Sequence, residues 1–167
     1  MSMKHTMGPT SLSSLSGVKE GDVQPNAVDL RVGKIFAIHT DQVFEISEDG
    51  KTHRGSTLML PDDNGWYDLT AGDYEVVMEN EIEVGDGEAG WVITRSTLNR
   101  NNVFLTSGLY DSGYHGVMAA VMHVGGPMRI KQGTRIGQYL SFDAEQLSKY
   151  NGSYGFGSAH DVKYEVQ

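Results

Sequence analysis

The sequence predicts an all-β fold. Three observations carry that prediction: 21 glycines punctuate 167 residues, the short apolar runs repeat with a period of two, and only around 95–101 does the period shift. A chain of this length forms one domain with a core of its own. Composition divides it further. Residues 1–16 are Ser/Thr-rich, lack a hydrophobic period and are expected to be a flexible tail; 17–148 form the β domain; 149–167 form a Gly/aromatic flap and tail.

The first strand is expected after the Gln24-Pro25-Asn26 turn, where Val28, Leu30 and Val32 alternate with Asp29 and Arg31. Its second face then carries a carboxylate and a guanidinium, the ordinary pattern of a solvated strand face. Val43–Ile46 is a short strand before the Glu48-Asp49-Gly50-Lys51 turn, and Asp62-Asp63-Asn64-Gly65 is another turn. Leu69–Met78 reads as a turn feeding a strand, and Glu79–Val84 as a further alternating one. Glu75, Glu79, Glu81 and Glu83 alternate with apolar residues, which favours a solvent-facing strand over a metal site.

Ala89–Thr94 is the next strand. It runs into Arg95-Ser96-Thr97-Leu98-Asn99, where Ser96 is suited to cap a short helix whose first N–H groups, with Arg95 alongside, make an anion site. Next comes Ser107-Gly108-Leu109-Tyr110-Asp111-Ser112-Gly113-Tyr114-His115-Gly116, one carboxylate set among glycines with an aromatic ring three residues on. The apolar run Val117–Met122 behind it reads as a buried strand, so Asp111 is expected on a hairpin at the lip of a sheet. Taken alone, a surface Asx turn is the commoner reading. Met128–Phe142 gives two strands around Gln132-Gly133, with Gln138 between apolar neighbours, where an amide needs a partner. Lys149–His160 is rich in Gly and aromatics, a design suited to closing Phe156 onto a flat ligand.

A formal net charge of −9 argues against a general nucleic-acid partner, which needs a basic stripe. A small phosphorylated ligand remains open if cations converge locally or a divalent metal accompanies it. The chain has no cysteine, so it has no disulfide framework or thiolate metal site. No apolar run approaches membrane-spanning length and no leader pattern stands at the N-terminus, so no membrane association is expected and a cytoplasmic location is. The scattered histidines lack ligand spacing.

Taken in order, Asn26-Ala27-Val28-Asp29-Leu30, Thr94-Arg95-Ser96, Gly108–Gly116, Lys131–Gln138 and Gly152–Ser158 resemble the five motifs of the trimeric dUTPase family. They are also similar to those of its sister group, the dCTP deaminases. The resemblance spans about 23–159. It implies a distorted jelly-roll (the dUTPase-like β-clip) with one short helix, assembled as a homotrimer with shared active sites. It further implies a deoxyuridine triphosphate substrate, hydrolysed to dUMP and pyrophosphate, and Mg²⁺ held mainly by the nucleotide's phosphates.

Carried over motif by motif, Asp111 would activate the water that attacks the α-phosphorus, and Tyr114 would lie against the deoxyribose. Main-chain groups of the Leu105–Gly108 and Val117–Met118 arms would read the uracil edge. Arg95, Ser96, Thr97 and Gln138 would hold phosphate oxygens. Asp29 would organise the metal's water shell or a contact with an arginine such as Arg95. Phe156 would stack on the base, with Gly157 and Ser158 on the distal phosphates. The fifth motif's usual arginine is Asn151 here; either Lys149 would substitute for it, or the γ-phosphate would be held less tightly.

Two further departures matter. The deaminase branch carries a catalytic glutamate where this chain has Val121, which removes the proton shuttle for attack at cytosine C4. His115 stands where an arginine is common. The alternatives are a pyrophosphatase of dCTP or a modified pyrimidine deoxynucleotide, a dCTP deaminase-like protein, and a nucleotide-binding regulatory protein.

Overall fold

The computed structural model describes residues 2–165, which form a curled antiparallel β-structure, a distorted jelly-roll. Its strands in chain order are β1 (Ser2–Lys4), β2 (Ser14–Leu15), β3 (Val28–Ile38), β4 (Glu45–Ser47), β5 (Gly50–Thr52), β6 (Ser56–Leu58), β7 (Trp66–Leu69), β8 (Gly72–Glu83), β9 (Glu88–Thr94), β10 (Val103–Thr106), β11 (His115–Val124), β12 (Met128–Lys131) and β13 (Arg135–Asp143). A four-residue helix α1 (Ser96–Asn99) follows β9, and a 3-10 helix spans His160–Glu165.

The main sheet runs β1-β13-β3-β8-β11-β10, with β9 also on β13, β2 on β8 and β6 on β3. Strand β3 joins the two halves. Its first residues pair with β13, in register Asp29↔Gln138, and its later ones pair with β8, in register Ile35↔Val76. Because it is covered on both faces, Asp29 is as buried as Leu30, and the solvated second face expected there is not observed. The main core gathers Leu30, Ile35, Ile82, Met118, Met122 and Tyr139, all fully buried. A smaller cluster of Phe36, Val77 and Tyr164 lies apart from it, and the 3-10 helix supplies Tyr164.

Several expectations are corrected. Leu69–Met78 and Glu79–Val84 are not two strands; β8 runs unbroken through Gly72–Glu83, because Val76, Val77 and Met78 are all buried and supply continuous packing. The two strands expected around Gln132-Gly133 are present as β12 and β13, and each finds its partners elsewhere: β12 pairs with β7, and β13 with β3, β9 and β1. The second helix falls in the glycine-rich C-terminal stretch, where no apolar period announces it. Of the expected tail 1–16 and flap 149–167, Met1, Val166 and Gln167 lie outside the described residues.

Residues 2–16 are docked rather than free. The anchor is Glu88, a fully buried carboxylate at the start of β9. Lys4 Nζ meets it at 2.7 Å, Leu12 N–H donates to it at 3.0 Å and the Ser13 hydroxyl at 2.5 Å. Burying Leu15 contributes roughly 1.5–3 kcal/mol, little beside about 1–2 kcal/mol per ordered residue. What fixes the segment is the need to partner Glu88, which a polar tail satisfies without any hydrophobic period. Burial pushes the Glu88 carboxyl up, but the Lys4 ammonium and the Ser13 and Leu12 donors outweigh it and hold it below its ordinary value of 4.5.

A carboxyl whose value is lowered on folding stabilises the fold fully above its unfolded value and loses that contribution as pH falls through the folded one. Docking of 2–16 should therefore be constant above about pH 4.5 and weaken below it. Hydrogen exchange at Leu12 and Leu15 across pH 3–7 checks this. Glu88→Gln should raise exchange at both positions at neutral pH and leave only the pH dependence carried by Asp143, which Lys4 and Ser2 hold below its ordinary value.

Candidate active site

Strands β10 and β11 form a hairpin that zips only part-way. Their ladder runs from Val103↔Val124 to Thr106↔Val121 and stops, although β11 continues back to His115. Between that point and the Asp111 turn the two arms are splayed. Two tyrosines prop them. Tyr110 donates its hydroxyl to Ala119 O at 3.1 Å, and Tyr114 donates to Val117 O at 2.6 Å. Burial pushes both phenols well above their ordinary value, so they stay protonated donors. Ser107 completes the upper arm by accepting from Val92 N–H at 2.9 Å and donating to Gly108 O at 2.8 Å.

The splayed arms open into a cavity of about 830 Å³. Gly108, Tyr114 and Val117, three of the expected ligand-contacting residues, line it. Leu105 does not: its side chain is buried, and its N–H and C=O are both engaged by the Thr94 hydroxyl at 2.9 and 3.0 Å. Met118 sits at a bulge between Val117 and Ala119 with its side chain in the core.

Asp111 stands at the head of the turn between the arms, exposed to solvent. Tyr114 N–H bonds to Asp111 O at 3.0 Å, and Gly113 takes a φ of +86°, a left-handed conformation that glycine tolerates. Among the described residues nothing bonds to the Asp111 carboxylate. Its neighbour is pinned: the buried Ser112 donates to Glu88 O at 2.5 Å and accepts from Tyr150 N–H at 2.8 Å. A free carboxylate on a fixed backbone is suited to take a proton from water.

A second polar group lies outside that cavity, around Asp29. One Asp29 oxygen accepts from Gln138 Nε2 at 3.0 Å; the other accepts from Gln24 Nε2 at 3.1 Å and Arg135 Nη1 at 3.2 Å, and pairs with Arg95 Nε at 3.4 Å. The Asp29↔Gln138 register places those two side chains on one face. Arg95 is the N-cap residue of α1 in extended conformation, and Ser96 is the first helical residue; no side chain caps the helix, so the expected Ser96 cap is absent. The first N–H groups, at Ser96 and Thr97, are left without intrahelical partners beside two half-exposed guanidinium groups.

Asp29 does not fit the role of organising a metal's water shell. Both its oxygens are occupied by four donors, two of them cations, and among the described residues no group of three metal-ligating side chains exists. It serves the alternative expected of it, the contact with arginine. Arg135 belongs to this cluster and was not singled out by sequence.

The C-terminal segment is folded onto the hairpin of its own chain. A Cβ on Gly116 would lie 2.7 Å from Gly155 Cα, so both positions require glycine for backbone to meet backbone. Phe156 stands edge-on to the His115 ring, centroids 4.9 Å apart, and remains half exposed outside the cavity. Lys149 is 3.5 Å from Asp86, and the Ser158 hydroxyl accepts from Asp161 N–H at 3.3 Å. The cavity wall is made instead by Tyr150, Tyr154, His160 and Tyr164, with His53 from the β5–β6 connection packed on His160 at 4.8 Å. Sequence reading missed these; their one signal is an aromatic ring roughly every four residues through 150–164.

The model of the dCTP deaminase-like family matches residues 10–143. The chain belongs to the dCTP deaminase-like family. Within that family, it is 30% identical over 142 residues to a probable deoxyuridine 5'-triphosphate nucleotidohydrolase of Halobacterium salinarum, covering 82% of this chain and 85% of the relative. The deoxyuridine 5'-triphosphate nucleotidohydrolase of Methanocaldococcus jannaschii is 29% identical over 147 residues, covering 87% and 94%. Among solved structures, the 2'-deoxycytidine 5'-triphosphate deaminase of Agrobacterium tumefaciens superposes with a TM-score of 0.58 at 15% identity, over 78% of this chain and 43% of that one. A Staphylococcus bacteriophage 80alpha dUTPase gives 0.50 at 11% identity, over 85% and 97%. These two show the shared fold.

Removing the Asp29 charge should be costly, because Arg95 and Arg135 lose their common partner. Asp29→Asn is expected to lower stability by about 3 kcal/mol, read as a shift of the urea midpoint at unchanged slope. A change below about 0.5 kcal/mol would mean that solvent alone satisfies the guanidinium groups.

Proposed function

We propose that this protein is a dUTP diphosphatase, hydrolysing dUTP to dUMP and pyrophosphate. The observation that carries the reading is the unpartnered Asp111 carboxylate on a turn pinned by Ser112 and Gly113, which joins the two splayed strands although Asp111 does not itself line the cavity between them. The names of the relatives support it, as do the five motifs in order.

In this reading the base enters between the arms, where main-chain groups near Gly108 and Val117 meet its edge, and Tyr114 lies against the sugar. Asp111 accepts a proton from a water molecule in line with the α-phosphorus. The water oxygen bonds to that phosphorus, the bond to the bridging oxygen breaks, and pyrophosphate leaves. Arg95, Gln138 and the N–H groups at Ser96 and Thr97 offset charge on the phosphate oxygens. In a single chain these groups lie outside the cavity that Tyr114 lines, which supports a homotrimer in which one copy's phosphate-binding cluster completes another's cleft. Phe156, Gly157, Ser158 and Lys149, which lie outside that cavity, then contact substrate where two copies meet. Mg²⁺ enters with the triphosphate as part of the substrate, since Asp29 has no capacity for it.

Val121 lines the cavity and carries no carboxylate, which disfavours deamination. Incubation with Mg²⁺ and dUTP, dCTP or UTP should release pyrophosphate from dUTP, little from UTP, and ammonia from none. Ammonia from dCTP would overturn the reading of Val121.

Asp111→Asn should reduce turnover by about 10²–10⁴-fold while dUTP affinity stays within about tenfold, or ~1.4 kcal/mol. Single-turnover kinetics alongside calorimetric titration separate the two quantities; unchanged turnover removes Asp111 from the chemistry. Chelation should abolish activity. Mg²⁺ without nucleotide should leave the thermal midpoint where it was, because the protein itself offers no site.

A further inference from the structure

The cavity is larger than a bare pyrimidine nucleoside needs. At about 830 Å³ it stands near the top of the ~300–1,000 Å³ range of sites that enclose drug-sized ligands. Its floor explains the excess. Ala119 and Val121 on β11 present small side chains to it, and Val121 is 45% exposed. Directly across the ladder from Val121 is Glu75 of β8, which lines the same cavity, as does Asp73 two residues back. Cross-strand partners on one face have Cβ atoms about 4.5–5.5 Å apart, so the Glu75 carboxylate stands beside the bare patch that Val121 leaves.

Glu75 is less solvated than Glu79, Glu81 and Glu83. One oxygen accepts from the Tyr164 hydroxyl at 3.1 Å; the other is buried and pairs with Lys163 Nζ at 2.7 Å. An ionised carboxylate oxygen offers about two acceptor sites, so these contacts orient Glu75 and leave the oxygen that Tyr164 contacts able to accept a further bond. His53 and Tyr154, each packed on the His160 ring, line the same cavity with ring surfaces.

We infer that the cavity takes pyrimidine deoxynucleoside triphosphates whose base carries a hydrogen-bond-donating substituent at C5, read by Glu75. The inference rests on the diphosphatase reading above and names its substrate class. When the arms hold the ring by the edge bearing N3, and N1 joins the sugar against Tyr114, the C5–C6 side turns to the remaining cavity. C5 is the ring position there at which substitution leaves the pairing edge and the sugar untouched. The room is over Ala119 and Val121, and the polar group at its end accepts hydrogen bonds. An apolar substituent fits the space but adds no hydrogen bond to Glu75.

The test compares pyrophosphate release from dUTP, dTTP and 5-hydroxymethyl-dUTP by the full chain with Mg²⁺. The expected result is a kcat/KM for 5-hydroxymethyl-dUTP at least tenfold above that for dTTP, falling below threefold in Glu75→Leu, which has no acceptor, while dUTP is turned over as before. A smaller ratio in the parent protein, or a ratio that survives Glu75→Leu, overturns the inference. Should Glu75→Leu fail to fold, Val121→Phe carries the test: by filling the patch it should cost 5-hydroxymethyl-dUTP at least tenfold and dUTP less than threefold, and equal losses overturn the inference. Hydrolysis of dUTP without the hydroxymethyl preference removes this inference alone. No pyrophosphate from any of the three removes the diphosphatase reading, and this one with it.

Discussion

Buried carboxylates that must find partners organise this fold as much as its apolar core does. Asp22, Asp29 and Glu88 have no solvent exposure at all. An ion taken from water at that depth costs several kcal/mol unless charge and hydrogen bonds offset it, so each one dictates what surrounds it. Asp22 receives the Arg31 guanidinium in a two-point grip at 2.6 and 3.0 Å and the Lys19 N–H at 3.0 Å. Burial alone would raise its carboxyl, yet these donors hold it below its ordinary value. Asp29 draws in two arginines and two glutamines, and Glu88 draws in the N-terminal segment. Three distant parts of the chain are thereby fixed to β3 and β9 by electrostatics rather than by hydrophobic pattern.

The cleft follows from a second constraint. A hairpin zipped to its turn would bury no ligand; one that splays too far would lose its register. Here the ladder ends at Thr106↔Val121, and the hydroxyls of Tyr110 and Tyr114 take the carbonyl groups of Ala119 and Val117 that the missing strand partner leaves open. The tyrosines therefore act as struts. Gly90 permits the arrangement, since a Cβ there would run into the Tyr139 hydroxyl beneath. Replacing the backbone partner by two phenols keeps the arms apart while satisfying their acceptors.

What the sequence revealed and what it hid divide along the same lines. Alternating residues marked β3 and β9, and glycine spacing placed Asp111 on the hairpin turn between β10 and β11, because period and turn chemistry are local. Gln138 was visible as an amide needing a partner, but naming Asp29 required the register of β13 on β3, which is not local. The N-terminal segment was opaque for a plain reason: Lys4, Leu12 and Ser13 hold it through one buried carboxylate 75 or more residues away, with no periodic pattern. The C-terminal aromatic wall was hidden behind glycines that suggest mobility, although Gly155 is there to allow close backbone contact with β11. The family motifs located the candidate residues, but not which of them one chain brings together.

That division bears on how the turn carrying Asp111 is held. Ser112 is where both chain ends meet it: its hydroxyl donates to the backbone of Glu88, whose side chain anchors residues 2–16, and its carbonyl accepts from Tyr150 at the start of the C-terminal segment. Gly113 N–H adds a bond to Val84 O at 2.9 Å. In the proposed hydrolysis a carboxylate that aims water tolerates little displacement, since small misplacements cost orders of magnitude in rate. A loop with few side chains of its own cannot supply that rigidity. Here it comes from two terminal segments that converge on a single serine, so the chain ends, which composition marks as a tail and a flap, are structural supports of the turn that carries Asp111.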